Sequence, residues 1–68
     1  MVPWKFVYYS SEYEQKVHIT ILEKINHHYT GETIYRVREQ SDSGWIDEGF
    51  YSEATVNEWL ENKLEEPA

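Results

Sequence analysis

The sequence contains no cysteine, which removes disulfides and thiolate metal sites together. Proline and glycine are scarce, two and three residues respectively, so no linker or low-complexity stretch divides the chain and no Gly-rich loop could cradle a phosphate. No run approaches the ~20 apolar residues that cross a bilayer. The opening Met-Val-Pro-Trp-Lys-Phe lacks the basic-then-apolar order of a secretion signal. Asn26, Asn57 and Asn62 each lack a Ser or Thr two positions on, so no glycosylation sequon is present. A cytoplasmic location is the simplest expectation. Cations are few as well: six Lys and Arg stand against thirteen Asp and Glu, a net charge of -7. Binding directly to a nucleic-acid backbone, or to an anionic membrane, needs clustered cations, and neither is expected.

What the chain does have is aromatic residues: three Trp, six Tyr and two Phe among 68 residues. The length sets a single domain over 1–68 near the lower limit for independent folding, one that buries only about 60% of its unfolded surface. Without disulfides or a metal, either the core is unusually rich or a second copy completes it, and the two are compatible. Each aromatic ring can bury roughly 150–250 Å².

The pattern predicts an α+β fold: a four-stranded antiparallel sheet followed by one amphipathic helix. Residues 4–9, Trp-Lys-Phe-Val-Tyr-Tyr, are dense in aromatic and β-branched residues and read as a first strand. In 16–25 the residues alternate, with Val17, Ile19, Ile21 and Ile25 on one parity and Glu23 as the exception. A third run, 33–40, sets Tyr35 and Val37 against Arg36 and Arg38, although Ile34 shares the arginine parity. Ser41-Asp42-Ser43-Gly44 is a turn signal before a fourth strand at 45–51, where Gly49 suggests a bulge or a close backbone approach. Short turns between successive strands predict a meander. The helix is predicted over 53–65: Ser52 is a good N-cap, Glu53 suits the first turn, and Val56, Trp59, Leu60 and Leu64 make one apolar stripe to lie on the sheet.

The outer face of that helix carries Glu58, Glu61 and Glu65 at i, i+3 and i+7. Carboxylates at such spacings lie ~5–6 Å apart and repel by a few tenths of a kcal/mol per pair. An ordinary solvated helix face is the plain reading of such a row. The row is not isolated, however. From residue 42 onward eight acids face a single base, Lys63, whereas the first 41 residues hold five of each. Asp42, Asp47, Glu48 and Glu53 precede the row, and together with it they would form an anionic ridge. A line of carboxylates on a rigid scaffold can imitate a duplex, which presents one negative charge per ~1.7 Å of axis.

Other chemistries find little footing. His27 and His28 are adjacent and His18 lies apart, so three ligands at a familiar zinc spacing are missing and no metal or other cofactor is expected. No Ser sits in a nucleophile elbow, and Asp47 and Glu48 as strand neighbours would face apart, so an enzyme is not expected. Rings on a sheet can stack single-stranded bases, but the net charge opposes such a site. Trp4, Phe6 and Tyr8 share a parity, with Tyr9 on the other, which predicts one core face and one face for self-association, as in a homodimer.

In its size, its lack of cysteine, its sheet with one helix and its late concentration of acid, the chain resembles the small acidic DNA-mimic proteins that bacteriophages make against host DNA-binding proteins. That resemblance implies a non-catalytic inhibitor acting in the host cytoplasm on a basic DNA-binding protein, the dimeric nucleoid protein HU being favoured because a dimeric mimic would suit it. The alternative is a small interaction or adaptor module that associates through its aromatic sheet face, its acidity serving solubility.

Overall fold

The computed structural model describes residues 2–64. Five antiparallel strands form one sheet: β1 (Lys5–Ser10), β2 (Gln15–Asn26), β3 (Thr33–Ser41), β4 (Ile46–Ser52) and a short β5 (Lys63–Leu64), in the order β4-β3-β2-β1-β5. A single helix, α1 (Glu53–Glu61), connects β4 at one edge to β5 at the other. The first four strands make the expected meander. The fifth corrects the expected count of four, and it also shortens the predicted helix. Leu64 continues the helical spacing from Leu60, but it lies in β5, paired with Val7. A two-residue strand is too short to show a period of its own.

Each connection follows from local chemistry. Ser10 Oγ accepts from the Tyr13 amide in the first turn, where Glu14 takes a positive φ of 54°. In the loop after β2, the His27 ring holds Thr30, and Gly31, at φ 71°, donates its amide to the His27 carbonyl at 2.8 Å. Gly44, at φ 100°, closes the third turn by donating to the Ser41 carbonyl. A left-handed residue in a tight turn is where glycine is least strained. The β4 strand then passes straight into α1, whose first turn is capped by Ser52 Oγ accepting from the Thr55 amide at 3.3 Å.

The core lies between α1 and one face of the sheet. Phe6, Tyr8, Val17, Ile19, Ile21, Tyr35, Val37 and Val56 are buried together, with Trp59, Leu60, Tyr51, Trp45 and Val2 packed against them. Val56, rather than Leu64, is the helix residue fully enclosed. Tyr8 stacks on Trp59 with ring centroids 5.5 Å apart, and Tyr51 meets the same indole edge-on at 4.7 Å.

A register shift between Ile21 and Glu23 resolves two irregularities of the pattern. The bulge reverses the parity of β2, so Glu23 and Ile25 turn to the open face and Lys24 to the helix side, opposite Tyr35. Ile25 then pairs with Ile34, which is why Ile34 shares its parity with the arginines. Gly49 sits in regular pairing with Val37 and not in a bulge; the Tyr51 ring lies beside it, 3.4 Å from where a Cβ would stand.

Candidate functional site

The two faces of the sheet carry different charge. On the helix side, Glu58 and Glu61 are exposed on α1, held in place by Val56 and Trp59 beneath them. Glu53 opens the same helix and accepts from the Tyr35 hydroxyl at 3.5 Å. Asp47 stands on this side too, opposite Glu39 on β3, and its Oδ1 accepts from the Glu48 amide at 2.9 Å. Glu12, from the first turn, joins Glu58, Trp59, Tyr8 and Asn62 around a shallow groove of about 220 Å³. Sequence reasoning missed Glu12, because only the passage of α1 across the sheet brings Glu58 to the β1–β2 turn.

The other predicted ridge residues do not join this group. Glu48 faces away from the helix and pairs with Arg38 at 3.6 Å, while Asp42 bonds the His18 ring at 3.0 Å. The expectation of one continuous ridge from Asp42 to Glu65 is therefore corrected: strand alternation sends Glu48 to the opposite side from Asp47. Glu65 lies outside the described residues. The self-association residues are corrected likewise. Phe6 and Tyr8 are only 6% and 7% exposed, enclosed by the helix of their own chain, and of the three only Trp4, at 63%, reaches solvent.

Beneath the acidic surface lies a polar cluster within the core. Glu39 is buried and accepts a short hydrogen bond from the Tyr51 hydroxyl, with Ser10 and Ser41 buried nearby. Burial raises the Tyr51 phenol well above its ordinary pKa, and the bond to Glu39 and its negative field raise it further. The Tyr8 phenol is pushed up to about 12, chiefly by burial and then by Glu39. Burial and Glu53 raise Tyr35 in the same direction. All three phenols stay protonated at neutral pH, so each can donate to a carboxylate but none is poised as a base. Every buried side-chain polar atom among the described residues finds a partner.

Comparison with protein families, curated proteins and solved structures finds no match. Among the described residues no three His, Asp or Glu side chains converge as metal ligands, and no helix is long and apolar enough to cross a membrane. What the helix side presents is a set of exposed carboxylates, Glu58 and Glu61 on the solvent face of α1 with Glu53 at its start.

Proposed function

We propose that this chain is a non-catalytic binding protein that sets the carboxylates of α1 against the basic, DNA-contacting surface of another protein and so competes with DNA. The observation that carries the reading is the grouping of Glu12, Asp47, Glu53, Glu58 and Glu61 on the helix side of the sheet, where Lys24 also turns, while Lys5, Lys16, Arg36 and Arg38 stand on the other with Glu23 and Glu48. The helix side is thus the more anionic of the two, and most of the cations on the strands are turned away from it. A dimeric nucleoid protein of the HU type is the partner of choice, since its DNA-binding surface is built to accept a row of negative charge, and the likeness to phage DNA mimics points the same way. The reading requires no metal and no cofactor.

The test is binding to purified HU with a labelled duplex as competitor. The protein should displace DNA, and the complex should weaken steeply with added salt, because apposed surface charges are screened within ~10 Å at 0.1 M. Reversing Glu58 and Glu61 to Lys should abolish displacement while the far-UV circular dichroism stays unchanged. Normal displacement by that double variant would end the proposal for the helix, and no displacement by the native chain would end it for HU.

A further inference from the structure

The open face of the sheet, opposite α1, has a composition that solvent exposure alone does not explain. An antiparallel sheet with one wet side should alternate apolar-in and polar-out. Here the outward positions include Val7, Ile25, Ile34, Ile46, Phe50 and Leu64, with Ile46 60% and Phe50 65% exposed. Register aligns them in rows across the sheet: Leu64–Val7–His18–Gln40–Ile46 near one end, and Ile25–Ile34 near the other, with Glu23–Arg36–Phe50 between.

Both arginine–carboxylate pairs among the described residues lie on this face, Arg36 with Glu23 at 3.8 Å and Arg38 with Glu48 at 3.6 Å, as does the hydrogen bond of the His18 ring to Asp42 at 3.0 Å. Arg36 and Arg38 each have a carboxylate of the same chain beside them, and Lys5 and Lys16 stand on the same face. The face thus interleaves apolar residues with side chains of both signs, cations and anions beside one another. We infer that this face is the interface of a two-fold dimer, in which the open sheet of one copy packs on the open sheet of a second.

A second copy of the chain is the occupant that this face fits. A two-fold contact must be self-complementary, and a face carrying both partners of each ion pair can meet its own copy with Arg36 opposite Glu23 and Glu23 opposite Arg36. The size is adequate: four long strands ~4.8 Å apart, averaging about eight residues at ~3.3 Å each, present roughly 500 Å² in projection. Side-chain relief adds to that, and a standard interface needs about 800 Å² per partner, so the whole face must be covered and not Phe50 alone. Finally, a chain of 68 residues with only one side of its sheet covered leaves half of its sheet surface without a core, the situation in which small domains turn to a second subunit. The arrangement is a sandwich of two sheets ~10 Å apart with α1 of each copy on the outside. It holds whether or not the acidic helix binds HU, and it would make that acidic surface bivalent.

Sedimentation equilibrium of the full chain over a wide concentration range tests the inference. The native protein should reach twice the chain mass of 8.2 kDa and remain associated in high salt. Phe50→Asp, at an exposed position that leaves the core untouched, should raise the dissociation constant at least ~30-fold, the effect of losing one interface hot spot. Arg36→Glu should weaken the dimer, and the swap Arg36→Glu with Glu23→Arg should restore it. These two residues lie on the inner strands β3 and β2, so pairing of β4 edges would not respond to them. A native chain that sediments at 8.2 kDa throughout would overturn the proposal. So would an association that survives Phe50→Asp and Arg36→Glu, or one that is lost instead on Glu58→Lys with Glu61→Lys.

Discussion

Replacing Tyr51 by Phe removes one oxygen and leaves the buried Glu39 carboxylate without its hydrogen-bond donor. Stability should fall by more than a typical surface change, because a buried acceptor that loses its partner costs about 1–3 kcal/mol, and a charged one more. Domains of this length are stable by roughly 0.05–0.15 kcal/mol per residue, or about 3–10 kcal/mol, so a loss of ~3 kcal/mol is a large share of the total. The Tyr51 ring also meets Trp59 at 4.7 Å, and Phe keeps that contact, so the variant isolates the hydroxyl. Urea unfolding followed by tryptophan fluorescence gives the measurement, since Trp59 reports on the same cluster. Changing Glu39 to Leu together with Tyr51→Phe should recover much of the loss, because removing both partners leaves no orphaned group. A single variant within ~0.5 kcal/mol of the native protein, or a double variant no better than the single, would refute the reasoning.

Alkaline titration should show the same phenols from another side. An unfolded tyrosine loses its proton near pH 10, whereas folded Tyr8 holds its own to about 12 and Tyr51 is raised as well. Groups whose folded pKa is raised add stability that is fully present below pH 10 and is lost as the pH climbs toward 12. The urea midpoint should therefore be flat in the tyrosine contribution below pH 10 and fall above it. If Tyr8 and Tyr51 ionise at pH 10 without unfolding, as followed by the phenolate absorbance, the assignment of their burial is wrong. At the helix start, Ser52→Ala removes the acceptor for the Thr55 amide and should cost about 1 kcal/mol, lowering the melting temperature by ~4–8 °C. Ser52→Asp should restore it, whereas an unchanged melting temperature in Ser52→Ala would show that the cap contributes nothing.

How far the pattern foretold the fold depends on the length of the signal in each element. The alternation of β2 and β3 and the cap at Ser52 were legible because each repeats over several residues or obeys a local rule. The bulge beside Leu22 was visible only as a misfit, Glu23 among isoleucines, and its consequence for Ile25 and Ile34 needs the register of two strands to be understood. The β5 strand gave no signal at all, since Leu64 satisfies helical spacing as well as pairing with Val7. The site was read least well for the same reason. Acids close in sequence looked like one ridge, yet alternation along β4 sends Asp47 and Glu48 to opposite sides, and Glu12 arrives from another part of the chain. Density of charge along the sequence says how much acid a segment holds; which side it faces is set by pairing partners.

The sorting of charge follows from how this sheet is built. Lys5, Lys16, Arg36 and Arg38 occupy outward positions of β1, β2 and β3, the parity that core packing leaves available once Phe6, Tyr8, Val17, Tyr35 and Val37 have turned inward. Helix α1 lies over the other side, so its solvent face can only add charge there. Acids on α1 thus meet no cation from the middle of the sheet, and they remain unpaired unless a cation comes from Lys24, from Lys63 or from a partner. On the open face the opposite holds, because Arg36 and Arg38 have Glu23 and Glu48 beside them in register. One face therefore carries charges of both signs in register, as contact with a like surface requires. The other carries the acids of α1 and its neighbours, more than Lys24 and Lys63 can offset, so a cationic partner could neutralise the remainder. A monomer–dimer equilibrium insensitive to salt and a partner affinity steeply dependent on it would be the joint signature of that division.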